Sequence, residues 1–179
     1  MWPPPLRSRP RRCAARWRPD DGSDPSAGTG GDHAAPDSLP VAEFAFPGPL
    51  RDRLVAAILD GSKTATTSTL VEYGVENEPL PEVGARQVLI DSAGQPVAII
   101  ETTAVQVVRL ADVDVRHARD EGEGHDSVAG WRAAHEAFWT SPDMRGHLDD
   151  PTFSVTDDTP VVLERLRVVE LLPREQHRS

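Results

Sequence analysis

The order of the predicted secondary-structure elements restricts the fold more than any other feature of this sequence. Apolar residues recur at helical spacing between Pro49, which suits the first turn of a helix, and Gly61, which suits its end. Residues 64–71 are rich in Thr and Val and predict a strand. Residues 72–84 contain Gly and two Pro, and they predict a long loop.

The second half of the chain continues with strands and helices. Strands are predicted over residues 87–91 and 96–108, joined by a hairpin-like connection that contains Gly94. They are followed by a short helical or turn segment over residues 111–119, a helix capped by Asp126 or Ser127, an irregular stretch over residues 140–159 and a final strand over residues 160–172. The order of all these elements lacks βαβ alternation and predicts an α+β fold, a small mixed β-barrel with helices packed outside.

The two ends of the chain differ in composition from its middle. Residues 1–40 are rich in Pro, Arg and Gly and have too few apolar side chains to offset the entropy lost on ordering. We therefore predict a disordered tail over residues 1–40, a folded domain over residues 41–173 and a short tail over residues 174–179. The chain start lacks the apolar segment of a secretory signal, no apolar run reaches the length of a membrane span, and the one cysteine, Cys13, lies in the tail. These features predict a cytoplasmic protein without a membrane partner.

The charge of the chain limits the nucleic acids that it can bind. Its formal net charge is -10, whereas proteins that grip long nucleic acids do so with clustered Lys and Arg. We therefore expect no double-stranded DNA partner. Any nucleic-acid ligand should be a nucleotide, a nucleoside or a short single strand held in a pocket. The oligomeric state does not follow from the sequence.

Lys63 is the single lysine of the chain, and every other strong base is arginine. A lysine amine can lose its proton near neutral pH and act as a base or nucleophile, which arginine cannot do. A bias of the gene towards arginine, with one lysine left by chance, is the alternative.

Three further side chains are candidates for ligand contact. Glu101 falls on the same face of the strand over residues 96–108 as its apolar residues, so its carboxylate either pairs with a base or takes part in binding. Tyr73 adjoins the predicted long loop and can stack on a base in the pocket wall. Trp131 belongs to an apolar helical stripe, so core packing is expected rather than stacking.

The acidic loop over residues 120–126 raises the question of a metal site. Its five potential ligands match no zinc or EF-hand spacing, and the histidines elsewhere in the domain show no ligand spacing either. We therefore expect neither a metal nor another cofactor. The loop residues concerned are Asp120, Glu121, Glu123, His125 and Asp126, and the other histidines are His117, His135 and His147.

Several short segments of the domain form a recognisable set. Residues 61–66 read GSKTAT, a G-x-K-x-x-T motif at the end of the first predicted helix. The other segments are EGEG at residues 121–124 followed by Ser127 and Trp131, PVVLER at residues 160–165, PLPEVG at residues 79–84 and IETT at residues 100–103. Together they resemble the ASCH family, in particular its longer bacterial members, whose first helix ends in the same G-x-K-x-x-T signature. The resemblance runs from about residue 44 to residue 172.

The resemblance implies a PUA-like barrel and a connection to RNA or its nucleosides. Some members resemble amidohydrolases of N4-acetylcytidine that use a Lys, a Thr and a Glu, and others resemble ribonucleases or parts of transcription coactivators. Residue by residue, the resemblance assigns these catalytic roles to Lys63, Thr66 and Glu121. Glu123 is the substitute for Glu121, and Ser127 joins Tyr73, Glu101 and Glu123 among the predicted binding residues.

The chemistry of such a set requires contact between its members. A threonine hydroxyl needs a base to become a nucleophile, and a desolvated lysine with a lowered pKa can be that base. Lys63 and Thr66 meet if the turn after Gly61 persists, but face opposite sides if the segment is extended. Glu121 would protonate a leaving amine or orient Lys63. The prediction is a hydrolase of acylated cytidine, with a single-strand ribonuclease or a non-catalytic RNA- or nucleoside-binding module as alternatives.

Overall fold

One mixed sheet and five α-helices make up the part of the chain that the structure, a computed structural model, describes, residues 39–173. Nearly all of the two predicted tails, and Cys13 with them, lie outside the described residues. No helix in the described range is long and apolar enough to cross a membrane. The elements are β1 (Val41–Ala42), α1 (Pro49–Asp60), β2 (Ala65–Thr69), α2 (Leu70–Glu76), β3 (Arg86–Ile90), β4 (Pro96–Arg109), a 3₁₀ turn (Leu110–Asp112), α3 (Val115–Asp120), α4 (Val128–Trp139), α5 (Pro142–Leu148) and β5 (Pro160–Leu171).

The sheet is mixed, as predicted, but it is open. Its strand order is β1-β3-β4-β5-β2, with β1 parallel to β3 and every other pair antiparallel. The prediction of a closed barrel is therefore wrong. Closure would need the two edge strands to pair, yet β1 has 2 residues and lies at the edge opposite to β2. So short an edge strand offers too few main-chain groups for such a pairing.

A bulge in β4 changes which of its later side chains face the core. Val97 and Ile99 are buried, but Val107, which strict alternation along the strand would place on the same face, is 46% exposed. The pairing with β5 shifts register after Ile99 and again after Thr102. The extra residue of the first shift is Val169 of β5, and that of the second is Thr103 of β4. The β4 side chains after Thr103 therefore turn to the other face, and strict alternation along this strand fails.

Two apolar clusters flank the sheet and meet around one cavity. The first gathers residues of β1, α1, β3 and the start of β4, and the second gathers residues of the three later helices and the start of β5. Phe44 and Leu54 of the first cluster and Trp139 and Met144 of the second line the same cavity. Trp131 is fully buried in the second cluster, which confirms that it packs in the core.

Two short helices lie where irregular structure was expected. Helix α2 begins after Thr69, whose N–H donates to the Glu72 carboxylate over 2.7 Å, and α5 begins after Ser141, whose side chain accepts from the Met144 N–H. The Thr-x-x-Glu spacing and the Ser-Pro pair are sequence signals for such starts. These helices carry Glu76 to within 2.9 Å of His147 across the cavity lining.

Candidate functional site

Lys63 reaches the centre of the site because the first helix ends sharply. Gly61 adopts a left-handed conformation with φ 82°, which ends α1, and the Lys63 N–H then donates to the Ala57 carbonyl over 2.9 Å. This turn directs the lysine inward, and its side chain is 1% exposed. An ammonium group buried to this degree needs partners, because leaving it unpaired would cost several kcal/mol.

Two carboxylates of the acidic loop provide those partners. The Lys63 Nζ lies 3.3 Å from Glu121 Oε2, 3.3 Å from the Glu121 carbonyl and 2.9 Å from Glu123 Oε1. Glu121 is as buried as the lysine, whereas Glu123 is 23% exposed. The structure therefore brings the predicted Lys63 and Glu121 together and adds Glu123 as a second contact.

The Glu121 carboxylate is the most densely bonded group of the site. Its Oε2 faces Lys63 on one side and the ring of His135 on the other, at 3.2 Å from Nε2. Its Oε1 collects three donors from three different elements. These are Thr67 Oγ1 at 2.6 Å, Trp131 Nε1 at 2.9 Å and His117 Nε2 at 3.2 Å.

These contacts fix the charge of Glu121. Burial alone would raise the pKa of its carboxyl, but hydrogen bonds from His117 and His135 and the charge of Lys63 outweigh burial and hold the pKa well below its usual range. Glu121 is thus an anion at neutral pH. Of the two roles that the sequence left open, the orientation of Lys63 fits an anion, whereas protonation of a leaving amine does not.

His135 is the complement of this carboxylate. Burial alone would lower the pKa of its imidazole, but the hydrogen bond to Glu121 and the charge of that residue raise it, with the Trp131 carbonyl accepting from the other ring nitrogen over 3.0 Å. The ring also stacks on Trp131 with centroids 4.3 Å apart. Sequence reasoning missed His135 and His117. The spacing of four between His117 and Glu121 is the signal that links them on adjacent helical turns.

Thr66 presents an unused hydroxyl to the same cavity. It lies on β2 and is 8% exposed, and no described residue forms a hydrogen bond with its side chain. Its neighbour Thr67 instead bonds to Glu121. Lys63 and Thr66 therefore share one cavity, although no hydrogen bond joins them within residues 39–173. The Thr66 hydroxyl is available to a ligand.

The cavity has a volume of about 330 Å³ and combines an apolar wall with an acidic lining. Phe46, Phe138 and Trp139 contribute aromatic rings. Five glutamates line it, against Arg53, Lys63 and the three histidines His125, His135 and His147. The excess of carboxylates favours a neutral or cationic ligand with hydrogen-bond donors over a phosphate. The glutamates are Glu43, Glu72, Glu76, Glu121 and Glu123.

Tyr73 and Ser127 lie away from this cavity. Tyr73 is buried, and its hydroxyl donates to Glu164 over 2.9 Å on the β5 side of α2. Ser127 caps α4 by accepting from the Gly130 N–H over 3.2 Å, in agreement with its predicted cap position. Neither is among the residues that line the cavity, and their binding roles stay predictions.

Glu101 also lies outside the cavity, in an ion-pair cluster on the sheet. Its carboxylate accepts from Arg167 at 2.6 Å and from Arg86 at 3.1 Å. Hydrogen bonds from these two arginines lower the pKa of the Glu101 carboxyl. Of the two alternatives that the sequence left open, the structure has the paired carboxylate.

A metal ion would find a partial ligand set here. Glu121, Glu123 and His135 offer ligand atoms within 4.8 Å of one another. The Lys63 ammonium, however, already lies 3.3 and 2.9 Å from the same two carboxylates. A cation would have to displace this built-in positive charge, so the donor set suits the lysine better than a metal.

The loop that carries Glu121 and Glu123 fits tightly against the Lys63 segment. Gly122 has φ 66°. A Cβ at this position would clash with the Ser62 backbone carbonyl and lie 2.7 Å from the backbone nitrogen of Lys63. Next to it, the Thr64 N–H donates to the Asp120 carbonyl over 2.7 Å. The approach of the two backbones requires glycine at position 122.

Gly122→Ala is therefore expected to lower the free energy of unfolding by roughly 2–4 kcal/mol, from the left-handed conformation and the clash together. Gly124→Ala is the matched control, because Gly124 has φ 82° but no atom within 4 Å of the added Cβ. Gly124→Ala should lower the free energy of unfolding by about 1 kcal/mol, because only the left-handed backbone conformation disfavours alanine there. Urea unfolding of both variants measures the difference, and equal costs would contradict the close contact.

Comparisons with known proteins place these features in a family. A family model described as the ASCH domain matches residues 43–170. A crystal structure of an ASCH domain from Lactobacillus crispatus JV V101 is similar, with 31% identity, TM-score 0.63 and coverage of 73% of this chain and 79% of that chain. Protein EF3133 from Enterococcus faecalis V583 is similar with 28% identity, TM-score 0.63 and coverage of 72% and 75% respectively. No curated protein matches this chain.

Proposed function

Because this chain belongs to the ASCH domain family, whose PUA-like fold is associated with RNA binding, we propose that its cavity is an amidohydrolase site for N4-acylated cytidine. One observation carries the proposal. The Lys63 amine, buried between Glu121 and Glu123, lines the same cavity as Thr66, whose hydroxyl has no partner among the described residues. A potential base and a potential nucleophile thus face one ligand space.

The cavity lining supports a nucleoside in preference to RNA. Five glutamates would repel the phosphates of a strand, whereas a nucleoside carries none. The aromatic rings of Phe46, Phe138 and Trp139 offer surfaces on which a pyrimidine can stack. A volume of about 330 Å³ also lies within the range of about 300–1,000 Å³ that is usual for small-molecule sites.

The proposed reaction begins with proton transfer. Lys63 passes a proton to Glu123, its nearer carboxylate at 2.9 Å, and then accepts the proton of the Thr66 hydroxyl. The Thr66 oxygen attacks the acyl carbonyl carbon, and the bond from this carbon to the exocyclic nitrogen breaks. Glu123 returns its proton to the leaving amine, which departs as cytidine. A water molecule then hydrolyses the acyl-threonine ester and releases the carboxylic acid.

Glu121 serves as a positioning residue in this scheme. As an anion at neutral pH it holds the Lys63 side chain in place while the proton moves through Glu123. The division of labour follows from burial, since Glu121 is 1% exposed and Glu123, at 23%, adjoins the ligand space. The two carboxylates would then differ in function as they differ in environment.

A non-catalytic nucleoside-binding module is the second candidate. It is favoured by the three acceptors that hold the Lys63 amine, none of which is Thr66. In a module of this kind the same lysine would donate to a carbonyl of the ligand, and no bond would break.

Incubation of the purified protein with N4-acetylcytidine tests the proposal. Release of cytidine and acetate, followed by liquid chromatography, is the expected result. Parallel reactions contain cytidine alone and single-stranded RNA with and without magnesium. Binding of N4-acetylcytidine without product would favour the module, and cleavage of RNA with no nucleoside hydrolysis would replace the proposal by a ribonuclease.

A further inference from the structure

Glu76 carries a buried carboxylate oxygen without a partner. Its Oε2 is the one buried side-chain N or O atom within residues 39–173 that forms no hydrogen bond. The other oxygen, Oε1, lies 2.9 Å from His147 Nε2. Both side chains are 12% exposed, and both residues line the cavity of the proposed site.

An oxygen in this state is costly for the free protein. A buried acceptor without a donor loses its hydration and gains nothing in return, and a charged group loses more than a neutral one. Such groups are rare in native structures and each needs a reason. His147 holds Oε1, which leaves Oε2 over, and the Glu76 side chain lines the cavity. Because Oε2 is closed to a water-sized sphere in the free protein, a hydrogen-bond donor of a ligand in the cavity satisfies it once the surrounding side chains rotate slightly.

The chemistry of the proposed ligand identifies the donor. This step rests on the proposed function, in which the acylated amine is handled by Lys63 and Thr66. Glu76 and His147 come from α2 and α5, elements that contribute nothing to the Lys63 cluster. With the exocyclic amine occupied, the donors that remain on the nucleoside are the sugar hydroxyls. Carboxylates accept hydrogen bonds from ribose hydroxyls in other nucleotide sites.

We propose that Glu76, positioned by His147, accepts a hydrogen bond from a ribose hydroxyl and makes the cavity select ribonucleosides over their deoxy counterparts. A carboxylate acceptor strengthens such a bond relative to a neutral one. Loss of a hydrogen bond to a charged group corresponds to a change in affinity of about ten- to a hundred-fold.

Calorimetric binding and hydrolysis of N4-acetylcytidine and its 2′-deoxy, 3′-deoxy and 2′,3′-dideoxy forms test the inference. The protein should bind the dideoxy form about ten-fold or more weakly, and the single-deoxy forms should identify the hydroxyl. Glu76→Ala and Glu76→Gln should both reduce the preference for ribose, mainly by weakening the ribose form. Glu43→Ala is the matched control, because Glu43 lines the cavity but pairs with Arg51 at 3.4 Å, and it should retain the preference.

The outcomes separate this inference from the proposed reaction. Preferential binding of ribonucleosides without hydrolysis would sustain ribose recognition and reject the amidohydrolase. Equal binding and hydrolysis of the ribose and dideoxy forms would overturn ribose recognition and leave the amidohydrolase in place. Failure to bind any of these nucleosides would overturn both.

Discussion

Lys63→Arg is expected to reduce kcat for N4-acetylcytidine by about 10²–10⁴-fold, the usual contribution of a positioned base, while Kd changes by less than about threefold. Arginine keeps the positive charge between Glu121 and Glu123 but cannot give up its proton near neutral pH. Proton abstraction from Thr66 would then fail although the ligand still binds. Steady-state kinetics and calorimetry on the same preparation measure the two effects separately.

Controls distinguish lost chemistry from lost structure. Lys63→Ala should also be inactive, and Arg53→Lys, which makes the reverse exchange at another residue of the cavity lining, should retain turnover. Thr66→Ser keeps a hydroxyl and should keep part of the activity, whereas Thr66→Val should lose it. Turnover near the wild-type rate by Lys63→Arg would reduce the lysine to a point charge and favour the binding module or a ribonuclease.

Glu121→Gln is expected to lower the free energy of unfolding at neutral pH by about 3–5 kcal/mol, the usual cost of removing one partner of a buried ion pair. Glutamine has nearly the same shape, so packing is largely kept, but His135 loses its buried counter-charge and Lys63 keeps only the partly exposed Glu123 as a counter-charge. Glu101→Gln is the control, since Glu101 pairs with two arginines at the sheet surface, and its effect should be much smaller. Denaturant unfolding of both variants gives the comparison.

The pH dependence shows whether charge is the cause. The pKa of Glu121 is lowered in the folded protein from an ordinary value of 4.5, so its ionisation stabilises the fold fully above pH 4.5. This contribution is lost as the pH falls through the folded pKa. The stability gap between the wild type and Glu121→Gln should therefore narrow on acidification below pH 4.5. A gap that does not change with pH would assign the loss to packing.

Sequence patterns predicted the long elements of this fold because local and tertiary signals agree in them. Helix α1 has apolar helical spacing, Pro49 at its first turn and Gly61 at its end, and the structure has all three features. The final strand is dense in Val and Leu, and Val161 and Val162 are fully buried. Short α2 and α5 were missed because each spans 7 residues with a glycine inside, too few for a periodic pattern. Only their capping residues, Thr69 with Glu72 and Ser141 with Pro142, mark them in the sequence.

Two features of the sheet could not be predicted from the alternation of apolar and polar residues along its strands. The buried position expected for Val107 assumed an uninterrupted strand, and the bulge at Thr103 of β4 breaks that assumption. Closure likewise depends on the length of the pairing between edge strands, which composition does not reveal. For this reason the sequence did not predict that the sheet stays open at β1.

The sequence predicted a lysine, a threonine and two of the glutamates that line the cavity, but not the two histidines that contact Glu121. The signature around Lys63 and the acidic loop led to the cavity, and the structure brings Lys63, Thr66, Glu121 and Glu123 to it. His117 and His135 were set aside because they follow no metal-ligand spacing, and their partner proved to be a carboxylate. The catalytic and binding roles of the predicted residues stay predictions.

The burial of the chain's single lysine provides a native chemical reporter. Amine acylation requires an uncharged, accessible amino group, and the Lys63 side chain is 1% exposed between two carboxylates. A succinimidyl ester that enters the cavity can therefore modify it only during excursions in which the amine leaves its two carboxylates and loses its proton. The labelling rate of this one residue, measured by mass spectrometry, would be the fraction of time that the amine is open multiplied by the labelling rate of a free lysine amine. Local opening around Lys63 can therefore be measured without an engineered probe.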